Sequence, residues 1–190
     1  TGSCRQIRRS IHIALPRCMT HSLLSRLKLS AITLITLITV GCGKSVDDER
    51  VPYSEVHISF TTVAEWNLYG IKGDAADYRR YILAKGVTEP AGFPYKASDH
   101  TGYSGILLVS DVMGNLIVYD LACPYDPTPS VRLEIPDGEL HARCPKCGST
   151  FDIYTNHGNP RSGPAADHGY ALQRYNITSG GALQYRVITR

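Results

Sequence analysis

From residue 55 to the end of the chain, the apolar residues fall in short runs that alternate with polar residues, and this pattern constrains the fold most strongly. The runs are rich in β-branched and aromatic residues, and glycine, proline and aspartate separate them, which is typical of strands joined by turns. No stretch keeps a helical stripe for three turns, although residues 64–69 could form one helical turn. The sequence therefore predicts an all-β domain, an antiparallel sandwich or small barrel. The predicted strands are 56–60, 78–84, 106–110, 116–120, 131–135, 140–143, 150–154, 172–178 and 183–188.

Two turn sequences predict which neighbouring strands pair. Residues 111–115 read DVMGN and lie between the runs 106–110 and 116–120, so these two runs should form a hairpin. Residues 136–138 read PDG and should form the turn of a second hairpin.

Length and charge exclude some classes of protein. A chain of 190 residues has room for one domain and a short appendage. Its net charge of +3 is uneven, because residues 1–41 hold six basic side chains and no acidic one. The remaining residues carry 14 basic and 17 acidic groups, a balance of −3. Such a domain lacks the basic surface that nucleic-acid binding needs, so we expect no nucleic-acid partner.

The first forty-two residues have the layout of a targeting segment. Arg26 and Lys28 precede an uncharged apolar run over residues 29–40, which is too short to span a membrane and is typical of a signal peptide. Residues 39–42 read TVGC and resemble the lipobox of bacterial lipoproteins, in which the cysteine becomes the first residue and is acylated. We therefore predict a signal peptide over 19–41 and lipidation at Cys42, with residues 1–18 as upstream translation that does not belong to the protein.

A polar stretch follows Cys42 and contains Asp47, Asp48 and Glu49 in succession. We predict that residues 42–54 are a lipidated tether to the membrane and that residues 55–190 form the β domain. The three acids also resemble the signal that sends some lipoproteins to the surface of Bacteroidetes-like bacteria. The expected location is the bacterial cell envelope, at the outer membrane or the cell surface.

Three cysteines of the β domain lie at loop tips. Cys123 follows the run 116–120 directly, and Cys144 and Cys147 lie between two later runs. A Cys-x-x-Cys followed by glycine is the shape in which two thiolates and nearby backbone amides converge on a metal ion. Two alternatives remain open: a structural disulfide between Cys144 and Cys147, and a catalytic dithiol.

The loops around these cysteines resemble those of the Rieske iron–sulfur family, in the same order along the chain. The first loop reads CPY at 123–125, the second reads CPKCGSTFD at 144–152, and the third reads GNPRSGPA at 158–165, followed by ALQRY at 171–175. This resemblance covers roughly residues 75–188. It implies an antiparallel sandwich with a small cluster-binding subdomain whose loops span 121–165. It also implies a [2Fe-2S] cluster supported by Tyr125, Gly148, Ser149, Gly163 and Pro164.

The chain departs from the family at both histidine ligands. Tyr125 and Cys147 stand where the two imidazoles would bind the second iron, and Phe151 replaces a tyrosine that donates a hydrogen bond to a ligand sulfur. Anionic ligands and fewer donors lower the potential of a cluster. Loss of the titrating imidazoles also argues against quinol oxidation.

The ligand set that this pattern predicts is Cys123, Cys144 and Cys147, completed by Asp126 or His157. Three interpretations follow. The first is a membrane-anchored electron carrier with a [2Fe-2S] cluster and an unidentified partner in the envelope, rather than a stand-alone enzyme. The second is a structural or binding module in which the cysteines hold zinc. The third is the same β domain without metal, with Cys144 and Cys147 oxidised and the loops binding a protein or glycan.

Overall fold

The computed structural model describes residues 46–180 and 185–190 of the chain. The predictions for residues 1–18 and 19–41 and for lipidation at Cys42 fall outside these residues. Within them the chain is mostly antiparallel β, with eleven strands and two short helices. The strands are β1 (Val56–Phe60), β2 (Tyr78–Ala84), β3 (Val87–Glu89), β4 (His100–Thr101), β5 (Ile106–Ser110), β6 (Leu116–Asp120), β7 (Ala142–Arg143), β8 (Thr150–Asp152), β9 (Asn159–Ser162), β10 (Arg174–Gly180) and β11 (Tyr185–Thr189). The helices are α1 (Val63–Tyr69) and α2 (Pro164–His168).

The strands form one large sheet and one small sheet. The large sheet has eight strands in the order β3-β2-β5-β6-β10-β11-β1-β4, and the small sheet has three in the order β7-β8-β9. The large sheet curls like half a barrel, because its last strand returns to β2, where the Leu83 N–H donates to Thr101 Oγ1 at 3.2 Å. The prediction of a mostly antiparallel β domain with a small separate unit near the cysteines is therefore confirmed.

The side chains of strand β5 pack into two hydrophobic cores, one on each face of the curved sheet. Successive side chains of a strand point to opposite faces. Ile106 and Leu108 pack into a core inside the curl, which also contains Trp66. Leu107 and Val109 pack into a second core beneath the small sheet. Because both faces are covered, every residue of the strand is buried, and its sequence reads as an unbroken apolar run that ends in serine.

Four predicted strands agree with the structure residue for residue, namely β1, β2, β5 and β6. The DVMGN turn joins β5 to β6, which pair from Ile106–Asp120 to Ser110–Leu116 as predicted. The predicted strand over 131–135 is wrong, because this segment makes only isolated bridges, from Arg132 to Ala122 and from Glu134 to Arg143. The second of these bridges flanks the PDG turn, so the turn itself is where the sequence places it.

Other differences arise where local signals are weak. The predicted strands over 140–143, 150–154 and 172–178 have shifted or shorter bounds as β7, β8 and β10, and residues 183 and 184 of the last predicted strand are not described. The sequence did not predict β3, β4 and β9, which are two to four residues long. Strand β9 contains Pro160 and lies at an edge of the small sheet, where a missing N–H is tolerated.

Helix α1 extends the helical turn predicted at 64–69, and helix α2 was not predicted. Thr62 caps α1, since the Glu65 N–H donates to Thr62 Oγ1 at 3.0 Å. Among the described residues, no helix combines the length and the apolar character that crossing a membrane requires.

Part of the predicted tether belongs to the folded domain. The Asp47 N–H donates to the Gly169 carbonyl at 2.9 Å, and the Ala171 N–H donates to the Asp47 carbonyl at 2.9 Å. The guanidinium of Arg174 lies 3.4 Å from the Asp48 carboxylate, and Val51 is only 2 % exposed. The segment 42–54 therefore contacts the β domain at Asp47, whose backbone pairs with the segment that follows α2.

Candidate metal centre

Three sulfur atoms from two separate loops meet at one point beside the small sheet. The Sγ atoms of Cys123, Cys144 and Cys147 lie within 4.8 Å of one another. The distance from Cys123 Sγ to Cys147 Sγ is 3.6 Å, although 24 residues separate them along the chain. All three cysteines are free thiols. The prediction that the first loop and the Cys-x-x-Cys loop share one centre is confirmed.

The first loop is fixed by a buried carboxylate at the end of β6. Asp120 accepts hydrogen bonds from the backbone N–H groups of Tyr103 at 2.8 Å, Ser104 at 3.2 Å and Ala122 at 2.7 Å. The Tyr175 hydroxyl donates to the same carboxylate at 2.7 Å. Asp120 therefore holds the chain in place three residues before Cys123, and no local pattern in the sequence marks this role.

The second loop is a tight turn that brings its two cysteines together. The Gly148 N–H donates to the Cys144 carbonyl at 3.0 Å, and the Cys144 N–H donates to the Ser149 carbonyl at 2.9 Å. Gly148 has φ of +73°, a left-handed conformation that side-chain-bearing residues rarely adopt. The glycine after the Cys-x-x-Cys is therefore required by the backbone of the turn.

Ser149 connects the second loop to the segment that covers it. The Cys147 thiol donates to Ser149 Oγ at 3.2 Å, and the Ala165 N–H at the start of α2 donates to the same oxygen at 3.0 Å. A side chain at Gly163 would place its Cβ 2.8 Å from the Ser149 Cα, which leaves no room for it. The cover formed by residues 158–168 thus packs directly onto the cysteine loop at Gly163 and Ala165.

The surroundings of Cys123 and Cys147 shift the pKa values of their thiols in opposite directions. Burial raises the pKa of the Cys123 thiol, although backbone N–H groups of Tyr125 and Asp126 hydrogen-bond to the sulfur and counteract this. Burial also opposes ionisation of Cys147, but its hydrogen bonds with the side chain and backbone of Ser149 and with the other two cysteines outweigh burial and lower the pKa of Cys147. The partly exposed sulfur is therefore the easier of the two to ionise.

Neither candidate for a fourth ligand belongs to the group of sulfur atoms. Asp126 Oδ2 lies 2.5 Å from the Lys146 ammonium, so this carboxylate is occupied by an ion pair on the rim of the centre. The hydrogen bond to Asp126 raises the pKa of Lys146, and the nearby sulfurs of Cys144 and Cys123 raise it further. His157 instead lines a surface groove with Asp48 and Arg174. The structure thus brings together the three predicted cysteines and neither candidate for the fourth ligand.

Tyr125 begins a stack of rings next to the first loop. Its ring stacks on His168 with centroids 5.7 Å apart, and His168 stacks on Tyr170 with centroids 5.2 Å apart. The Arg50 guanidinium lies over the Tyr170 ring at 4.6 Å. No local pattern in the sequence indicates that His168 meets Tyr125.

Comparison of the chain with protein-family models, with curated protein sequences and with solved structures finds no match. The resemblance to the Rieske family therefore depends on the three loop motifs.

The donor set suits a thiophilic metal ion. Thiolate sulfur is the ligand that zinc, iron–sulfur clusters and copper(I) select. A tetrahedral ion with metal–sulfur bonds of about 2.3 Å has sulfur–sulfur edges of about 3.8 Å. The 3.6 Å between Cys123 and Cys147 is close to that edge. Three clustered cysteines can therefore bind one metal ion, and their arrangement alone does not identify the element.

Proposed function

We propose that this chain is a Rieske-like, lipid-anchored domain of the bacterial cell envelope whose three cysteines hold a single zinc ion as a structural or binding module. The observation that carries this proposal is the convergence of Cys123, Cys144 and Cys147 within 4.8 Å. The Rieske-like fold is supported by the order of the loop motifs and by the small sheet that carries the second loop and its cover.

The spacing of the sulfurs favours one ion over a two-iron cluster. In the family pattern, Cys123 and Cys144 would bind one iron, whereas Tyr125 and Cys147 would bind the other. Cys147 Sγ instead lies 3.6 Å from Cys123 Sγ, which is the spacing of two ligands on the same ion. The three cysteines would fill three of the four positions of a tetrahedral zinc ion and leave the fourth to water. Zinc needs no redox partner, so the zinc module is the simpler proposal.

A [2Fe-2S] electron carrier is the second candidate. Ser149 favours it, because the family uses this serine to donate a hydrogen bond to a bridging sulfide and the side chain here reaches the Cys147 sulfur at 3.2 Å. A cluster in this site would supply one-electron transfer to a partner in the envelope. Cysteine at 147 would make the site more anionic than a two-histidine site and lower its potential.

The membrane anchor is proposed at Cys42. Acyl chains on this residue would hold the domain at the membrane through a short stretch, since the chain is already packed against the domain at Asp47. Incorporation of radiolabelled palmitate should be lost in Cys42→Ala, and a variant that still incorporates label would contradict lipidation at this site.

Metal analysis of the full chain, purified without oxygen, tests the proposal. We expect about one zinc per chain, no visible absorption, and thiolate-to-metal absorption bands after replacement with cobalt(II). Iron with acid-labile sulfide and a reddish-brown colour would support the second candidate instead. Absence of metal together with failure of the reduced chain to take up cobalt(II) would refute both.

Matched variants separate loss of the centre from loss of the fold. Cys123→Ser should lose the metal, because it removes one of the three sulfurs. Ser162→Ala should keep it, since Ser162 Oγ contacts Thr150 Oγ1 at 2.7 Å on the neighbouring strand and not a cysteine. Equal metal content in the two variants would contradict ligation by Cys123.

A further inference from the structure

The two sulfurs that lie 3.6 Å apart, those of Cys123 and Cys147, come from different loops. The sequence suggested the other pair, because Cys144 and Cys147 form the Cys-x-x-Cys. A disulfide has a sulfur–sulfur bond of about 2.05 Å, so the two sulfurs must approach by roughly 1.5 Å to form one. The sulfurs that span the two loops are therefore about 1.5 Å beyond bonding distance.

Access from solvent differs among the three sulfurs. Cys123 and Cys144 are each 1 % exposed, whereas Cys147 is partly exposed. A small disulfide arriving from solvent can therefore reach Cys147 first. Cys123 can react only with a sulfur that is already inside the centre, and Cys147 is the sulfur beside it.

We propose that Cys123 and Cys147 form a thiol–disulfide site that is oxidised by small disulfides such as oxidised glutathione. The Cys147 thiolate attacks one sulfur of the small disulfide, forms a mixed disulfide and releases one thiolate. Cys123 then attacks Cys147 Sγ, forms the protein disulfide and releases the second thiolate. Two protein thiols are oxidised, one small disulfide is reduced to two thiols, and Cys144 remains a thiol.

This inference rests on the proposed function in one respect, since oxidation consumes two of the three sulfurs proposed to hold the metal. An ion held by Cys123, Cys144 and Cys147 would retain a single protein sulfur after oxidation, and it should leave as the disulfide forms. Oxidation would thus release the metal, and reduction by a dithiol would restore the site.

Trypsin distinguishes the possible disulfides, because it cleaves after Arg143 and Lys146. Cys123 falls in peptide 97–132, Cys144 in peptide 144–146 and Cys147 in peptide 147–161. The other three cysteines of the chain fall in separate peptides. The full chain, stripped of metal by a chelator, is incubated with oxidised glutathione. It is then unfolded in a denaturant that contains the alkylating agent and no reductant, digested and analysed by mass spectrometry.

We expect peptide 97–132 linked to peptide 147–161, with peptide 144–146 alkylated. A link between 144–146 and 147–161 as the main product would overturn the proposal, as would alkylation of all three peptides. Cys123→Ser should stop at glutathione on Cys147, and Cys144→Ser should give the same linked pair as the unaltered chain. A folded Cys144→Ser variant that forms no linked pair would also overturn it.

A second measurement separates this inference from the proposed function. Zinc-loaded chain is oxidised in the presence of a colorimetric zinc indicator, and the expected result is about one zinc released per disulfide formed. A disulfide that forms while zinc stays bound would refute the coupling to metal release. A chain that never binds metal but forms the Cys123–Cys147 link would refute the proposed function and leave the disulfide site standing.

Discussion

Removing the Asp120 carboxylate should destabilise the domain and loosen the first cysteine loop together. Asp120→Ala removes the acceptor of the Tyr175 hydroxyl and of three backbone N–H groups, of which two are buried and that of Tyr103 is partly buried. Each buried donor left unsatisfied costs about 1–3 kcal/mol, although water entering the space reduces the sum. We therefore expect the free energy of unfolding to fall by about 4 kcal/mol.

Two control variants calibrate this magnitude. Tyr175→Phe removes one of the four donors and leaves the carboxylate with the other three, so it should cost about 1 kcal/mol. Asp48→Ala removes a carboxylate whose 3.4 Å ion pair with Arg174 is partly exposed, so it should cost less than about 0.5 kcal/mol. Only the first change leaves several buried donors without an acceptor.

Urea unfolding followed by the fluorescence of Trp66 provides the assay. Trp66 is the single tryptophan of the chain and lies in the core inside the curled sheet, away from the cysteines, so its signal reports global unfolding. Cobalt(II) affinity of the same variants reports on the first loop. If Asp120→Ala loses no more stability than Tyr175→Phe, the carboxylate does not organise this region and the reasoning is wrong.

The same residue predicts a dependence of stability on pH. Burial raises the pKa of Asp120 above its ordinary value, even though four donors bond to it and oppose the rise. The folded chain therefore holds this proton over a range of pH in which the unfolded chain, with a pKa of about 3.9, has lost it. Stability from this group falls as pH rises from about 3.9 to the pKa of the folded state and is constant above it. Asp120→Asn should remove that slope, and an unchanged slope would contradict the assignment.

Three further changes test the centre and its cover. Gly163→Ala should lower the free energy of unfolding by about 1–3 kcal/mol and weaken cobalt(II) binding, because its Cβ would meet the Ser149 Cα at 2.8 Å. The control is Gly86→Ala, which has the same φ of +79° but open space around it and should leave cobalt(II) binding unchanged. Equal effects of the two variants on binding would refute the packing argument. Ser149→Ala should raise the pKa of Cys147 in the metal-free chain, because the serine hydroxyl would no longer offset the effect of burial. The rate of Cys147 alkylation measured against pH should then shift to higher pH. An unchanged dependence on pH would contradict this. The double change Tyr125→His and Cys147→His introduces histidine at both positions where the Rieske family has it. If the fold is Rieske-like, this variant should assemble a [2Fe-2S] cluster, which is measured by visible absorption. A colourless variant that remains folded would argue against that fold.

The sequence by itself determined the class of fold and the main strands. β1, β2, β5 and β6 follow from alternation and turn residues, which act over a few neighbouring positions and need no knowledge of the rest of the chain. It also indicated that the cysteines lie at loop tips and that the Cys-x-x-Cys followed by glycine could converge with them on a metal ion. The segment 131–135 shows the limit, because its apolar residues resemble a strand but only isolated bridges form there.

Only the tertiary structure decided what those local elements bring together. It placed Cys147 beside Cys123 across two loops, joined Asp47 to the segment after α2, and stacked His168 on Tyr125. It also placed His157 in a surface groove apart from the sulfurs and paired the Asp126 carboxylate with the Lys146 ammonium. Contacts between residues distant along the chain depend on how the strands are arranged and how the loops pack on them. Patterns over a few neighbouring residues do not determine either arrangement.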